Sequence, residues 1–229
     1  MSDSPAAVEQ HNPELRHHFV DMGQQQQAAS LGMWLFLSTE IMFFGGMFCA
    51  YLIYRRLYFT EFAAGSRSLD VTLGAVNTAV LICSSLTVAL GVRAAQMGKR
   101  TLLVILMLLT LVFGLAFLGI KGVEWSAKFK EHHIPGASFH FEQTELDGKP
   151  IDQQHIQLYF SLYFAMTGMH ALHMIIGVGM FLYLTYYSWK GRYGPEYYTP
   201  VENGGLYWHF VDIVWIYLFP LLYLIDLKK

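Results

Sequence analysis

Five long apolar runs, parted by short polar stretches, organise the chain and cover residues 28–54, 71–95, 101–123, 158–187 and 204–226. An α-helix rises about 1.5 Å per residue, so about 20 apolar residues cross a hydrocarbon layer roughly 30 Å thick. Each run meets that length. Lipid offers nothing to a bare N–H or C=O, so segments of this composition must close their own backbone hydrogen bonds as helices. The pattern predicts an all-α, polytopic membrane protein: a bundle of five transmembrane helices behind a polar tail at 1–27, with a long loop at 124–157.

Polar punctuation marks the ends of these runs. Arg55 and Arg56 close the first, Asp70 precedes the second, and Lys99 with Arg100 fills the tight connection to the third. Pro195 and Pro200 mark the turn before the last helix, and Pro220 inside it is expected to kink the helix near Ile216. The tail carries a glutamine run, Gln24 to Gln27, unlike the basic start and short apolar core of a cleaved signal peptide, so the first apolar helix is expected to direct insertion. Arg93, Lys99, Arg100, Lys190 and Arg192 outweigh Arg55, Arg56 and Arg67 in the short loops, which predicts an inside N-terminus. The long loop holds His132, His133, Pro135, Gly136, Glu142, Glu145 and Asp147, and reads as a surface excursion, either a docking surface or solvated filler.

Composition agrees with a lipid setting, because 14% of residues are charged where a soluble domain carries roughly a quarter. A formal net charge of -2, with no basic stripe, excludes nucleic acid as a partner. Cys49 and Cys83 fall in apolar runs without metal or disulfide spacing and are expected to be small core residues.

Ionisable groups inside the runs carry the candidate chemistry, since a charge at the bilayer centre costs about 3 kcal/mol or more and needs a partner or neutralisation. Glu40 lies roughly 18 Å into the first span, among Phe36, Phe43, Phe44 and Met47. His170 and His173 reach a matching depth on the fourth span, so Glu40 is expected to hydrogen-bond to one of them across a helix interface. On the fifth span His209 and Asp212 repeat the i,i+3 spacing and are expected to satisfy one another. Asn77 with Thr78 on the second span and Thr167 with Gly168 on the fourth suit close helix contact, and Glu124 ends the third span about where the interface should be. These groups read either as polar glue between helices or as parts of a proton relay. Tyr54, Trp125 and Trp189 suit an aromatic belt.

Four of these segments resemble subunit III of the cytochrome c and ubiquinol oxidases: YWHFVDIVWIYLF from Tyr207 to Phe219, TGMHALHMIIG from Thr167 to Gly177, STEIMFFGGMF around Glu40, and VNTAVLICSS around Asn77. Glu40 is similar in setting to that family's carbodiimide-reactive glutamate. The mitochondrial form carries two further helices at its start, and many relatives have a glutamine where Lys121 stands. The resemblance implies a multi-pass protein of the bacterial cytoplasmic membrane that belongs to a proton-translocating haem-copper terminal oxidase. It implies a non-catalytic subunit, with haem and copper in partner chains, that packs against oxidase subunit I and other oxidase subunits, stabilises the catalytic subunit and supports proton uptake. Phospholipid is a possible ligand and membrane lipids are neighbours.

The residues agree with a metal-free role, because His170, His173 and His209 fall short of the set a haem-copper subunit requires and the cysteines form no copper pair. Competing readings are an accessory membrane subunit of a nitric oxide reductase, a proton-coupled transporter using Glu40 and Asp212, and a two-haem cytochrome. The lack of a sequence repeat opposes the transporter.

Overall fold

The computed structural model describes residues 14–131, 133–136 and 139–226; the first half of the polar tail and His132 lie outside them. Six helices follow one another: α1 Met22–Leu57, α2 Phe59–Arg67, α3 Val71–Gln96, α4 Arg100–Lys130, α5 Gln153–Trp189 and α6 Thr199–Tyr223. A two-stranded antiparallel hairpin, β1 Glu145–Leu146 and β2 Lys149–Pro150, lies between α4 and α5. All but α2 are long and apolar enough to cross a membrane.

Local chemistry sets the helix ends. Asp21, Asp70 and Asp152 each accept from a backbone N–H of the first turn, capping α1, α3 and α5. α3 and α5 end on glycines in the left-handed region, Gly98 at φ 69° and Gly191 at φ 80°. The amides beyond them reach back to Ala94 and Tyr187, so orphan carbonyls of the last turn are satisfied. Pro200 sits in the first turn of α6 rather than in the turn before it, where its missing N–H costs no intrahelical bond.

Successive spans run antiparallel. One end of the bundle therefore gathers the start of α1 and the α3–α4 and α5–α6 turns, and the other gathers α2, the long loop and the end of α6. α6 is the hub, packing on α1, α3 and α5, while α3 and α4 pair along their lengths. Trp208 of α6 fits because α4 and α5 present glycine: a Cβ at Gly114 or Gly177 would lie 2.7 or 3.1 Å from its indole. α1 is the least covered span and buries a stripe of Leu37, Phe44 and Tyr51 at heptad spacing. Outward faces carry Leu, Ile, Phe and Met, as lipid contact requires. Both cysteines are exposed on these faces, not in the core; their runs are apolar because lipid surrounds them, and apolarity alone does not distinguish the two sides.

Two features of the loop end have no counterpart in the hydrophobic pattern. α2 buries Phe62, Ala63 and Ala64 against α5 and α1. The loop after α4 is no free excursion: Phe141, Leu146 and Ile151 are buried, and the Gln153 side chain exchanges two hydrogen bonds with the backbone of Phe141. Arg67 then ties three pieces together, with Nη2 3.1 Å from Asp147 of the hairpin and 2.6 Å from Asp226 beyond α6.

Candidate functional site: the polar interior of the bundle

Glu40 meets His173, not His170, with Oε2 3.1 Å from Nε2. Three residues turn a helix through about 300°, so neighbouring i,i+3 rings point roughly 60° apart and a single one faces α1. The Nδ1 of His173 lies 2.8 Å from the carbonyl oxygen of Met169. A carbonyl accepts only, so Nδ1 carries a hydrogen. Nε2 then has two options: it accepts from a protonated Glu40, or it donates to an ionised one as part of an imidazolium. The contact thus joins α1 to α5 through one side-chain hydrogen bond. Phe44 packs against the imidazole, and the Tyr207 hydroxyl donates to the His173 carbonyl at 2.9 Å.

His170 is turned away from Glu40 and is flanked by Phe117 at 5.4 Å and Trp215 at 5.2 Å between ring centroids. Asn77 is buried and donates through Nδ2 to the Phe117 carbonyl at 3.4 Å, linking α3 to α4. The expected pairing of His209 with Asp212 does not form. His209 Nδ1 instead lies 2.7 Å from the Ser85 hydroxyl of α3, and the same serine faces the buried Asp212 carboxyl without forming a well-shaped hydrogen bond to it. The hub position of α6 brings a hydroxyl from another helix to the imidazole, which spacing along one helix cannot reveal.

Glu124 stands inside α4, which continues to Lys130, and is 5% exposed. Its cation is Lys121, one turn earlier and 3% exposed, with Nζ 3.1 and 3.2 Å from the two carboxylate oxygens. Nζ also donates to the hydroxyls of Tyr163 at 3.2 Å and Tyr223 at 2.6 Å. Those hydroxyls in turn donate to Glu124 Oε1, Tyr163 at 2.6 Å and Tyr223 in a still shorter contact. The ammonium lies 4.9 to 5.2 Å from the ring centroids of Trp215, Tyr163 and Tyr223. Three N–H donors, two carboxylate oxygens and two hydroxyls close on one another, so charges that would be prohibitive apart are tolerated together. The sequence singles out Glu124 as a site residue and Lys121 only as a departure from relatives, and Tyr163 and Tyr223 are not among the expected site residues. An i,i+3 Lys–Glu pair inside an apolar helix is the signal that points to Lys121.

Among the described residues no three His, Cys, Asp or Glu side chains converge as a metal would need. The arrangement is suited to holding helices in register, with the carboxyls of Glu40, Glu124 and Asp212 on three different spans.

A family model for cytochrome c oxidase subunit III matches residues 154–226, the length of α5 and α6. The chain is similar to a probable cytochrome c oxidase subunit 3 of Nocardia farcinica, 32% identical over 196 residues, or 86% of this chain and 87% of that one. Cytochrome c oxidase subunit 3 of Corynebacterium diphtheriae is 32% identical over 216 residues, covering 90% and 96%. A haem-copper oxidase subunit I+III of Aeropyrum pernix is 31% identical over 199 residues, 84% of this chain and 22% of that longer protein. Identity at this level across nearly the whole of both the Nocardia and the Corynebacterium proteins, on a bundle of five spanning helices, leads to one assignment: the chain belongs to the cytochrome c oxidase subunit III family and is a subunit III of a haem-copper oxidase.

Proposed function

We propose that this subunit carries no redox centre itself, that it packs on the haem-copper catalytic subunit I of the oxidase, and that it stabilises that subunit and supports proton uptake while the complex reduces oxygen to water. The observation that carries the reading is the likeness to the fused subunit I+III protein of Aeropyrum pernix, in which one chain bears both names. Further support comes from the imidazoles: His173 is committed to Glu40 and Met169, and His209 to Ser85. Co-purification from native membranes tests it. A haem-bearing subunit I is expected in stoichiometric amount, and the separated chain is expected to show no Soret band; stoichiometric haem on this chain alone would overturn the reading.

The same proposal places the protein in a bacterial cytoplasmic membrane with its N-terminus in the cytoplasm, so that Lys99, Arg100, Lys190 and Arg192 lie on the inner side with it. It also assigns phospholipid to a groove of about 400 Å³ between α1 and α6, lined by Trp34, Leu37, Ile41, Phe44, Phe210 and Val214. An almost wholly apolar channel on the outer face of two spans suits an acyl chain. For Glu40, a relay role predicts fewer protons pumped per electron in Glu40→Gln. Unchanged pumping with a shorter life under turnover assigns the residue a structural role.

A further inference from the structure

The interior divides into a saturated part and an unsatisfied one. Lys121, Glu124, Tyr163 and Tyr223 meet each other's demands. One turn away along α4, Phe117 centres a different layer: its carbonyl accepts from Asn77, and its ring lies 5.4 Å from His170 and 4.8 Å from Trp215. His170 is 1% exposed, yet neither of its ring nitrogens has a partner, and Asn77 Oδ1 has none either. A neutral imidazole carries one donor and one acceptor, and an amide oxygen has two lone pairs. Burying such groups without partners is costly, and in a membrane no bulk solvent relieves it.

We propose that the layer of Asn77, Phe117, His170 and Trp215 binds one or two internal water molecules. They donate to Asn77 Oδ1, pair with both nitrogens of His170, and extend toward the Lys121–Glu124 ion pair. A buried water takes two to four polar partners, and Asn77 Oδ1 of α3 with the two ring nitrogens of His170 of α5 offers three unfilled positions for it. Lys121 is close at hand, because its Nζ lies 4.9 Å from the centroid of the same Trp215 indole that flanks His170. A neutral amide and a neutral imidazole suit water rather than an ion. The bound water gives a ring sealed from both solvent and lipid a partner with which to exchange its proton.

The test uses the intact oxidase complex in lipid with ¹⁵N-labelled histidine. Magnetisation transfer from water to nitrogen in solid-state NMR is expected at the His170 ring, and its loss in His170→Phe identifies the signal. Asn77→Leu, which removes one acceptor and leaves the ring in place, is expected to weaken that transfer while leaving the exposed histidines unchanged. If His170→Phe fails to assemble, a density map of the wild-type complex that resolves ordered water decides. Density within about 3.2 Å of both His170 nitrogens is expected. Bare nitrogens in the map, or a His170 signal that receives no transfer, overturn the proposal.

Discussion

Lys121 engages both carboxylate oxygens and two hydroxyls, and no other cation serves Glu124 among its described partners. Lys121→Met leaves a buried carboxylate uncompensated and is expected to cost about 3–5 kcal/mol, read as a lower thermal midpoint for loss of the subunit from the complex. Adding Glu124→Leu to that variant is expected to restore much of the loss, since an apolar pair of similar volume often replaces a buried ion pair without penalty. Tyr223→Phe removes two bonds to charged groups, the one accepted from Lys121 and the one donated to Glu124, and is expected to cost at least about 1.5–3 kcal/mol in the same assay. The Glu40–His173 contact is a different case: side chains 20% and 10% exposed and a single shared hydrogen bond. Interhelical bonds of this kind average about 0.6 kcal/mol in membranes, with a maximum near 1.7, so Glu40→Leu is expected to move the midpoint far less than Lys121→Met. A drop as large as that of Lys121→Met would contradict this ranking. Sequence made the Glu40 contact legible, because matched depth on two spans is readable from residue counts. Which histidine turns toward α1, and the tyrosines that close around Lys121, depend on helix rotation and neighbours, which counts do not carry.

At the scale of elements, the spans were legible because lipid imposes length and composition together, leaving little for tertiary context to alter. α2 was not. Its sequence, FTEFAAGSR, is short and only partly apolar; it is helical because Phe62 and the small residues after it have Tyr159 to pack against, and a Cβ at Gly65 would meet that ring at 2.3 Å. The end of α6 is likewise completed from outside, with the hydroxyls of Tyr51 and Tyr159 donating to the carbonyls of Leu221 and Leu222 that the last turn leaves open. Packing of α4 gives a paired test. Gly114→Ala places a methyl 2.7 Å from the Trp208 indole, whose Nε1 is held by Ser84 at 2.8 Å, so the ring cannot retreat without losing that bond. A cost of about 1–3 kcal/mol is expected from such overpacking. Gly119→Ala on the same helix meets nothing within 4 Å and is expected to be neutral or stabilising by up to about 1 kcal/mol through helix propensity. Equal effects of the two changes on thermal unfolding would refute the packing account.

Across the whole molecule the two ends differ in kind. At the N-terminal end the connections are tight, and Glu14 reaches Arg192 at 2.8 Å to pin the tail to the α5–α6 turn. The other end is covered by α2, the hairpin and the loop, with Arg67 joining them to the residues after α6. This cover lies over the end where α6 stops at Tyr223, beside the Lys121–Glu124 pair, so its integrity bears on how well that pair is kept from water. His133 is a titratable part of the cover, its ring stacked on Phe160 at 4.9 Å and its Nδ1 3.1 Å from Glu131. Burial pushes the His133 pKa below the usual imidazole value and Lys128 lowers it further, while Glu131 and Glu142 act the other way. In the unfolded loop the ring protonates near about pH 6.5, and in the folded loop it binds that proton less readily. Its contribution to loop stability is therefore fully present above that value and is lost as the pH falls below it. Hydrogen exchange of the amides at 139–152 is expected to accelerate between about pH 7 and about pH 5, beyond the change in intrinsic rate, and His133→Phe, which keeps the stack on Phe160 but cannot titrate, is expected to remove that step. A pH step that persists unchanged in His133→Phe would transfer the sensitivity to the carboxylates around it.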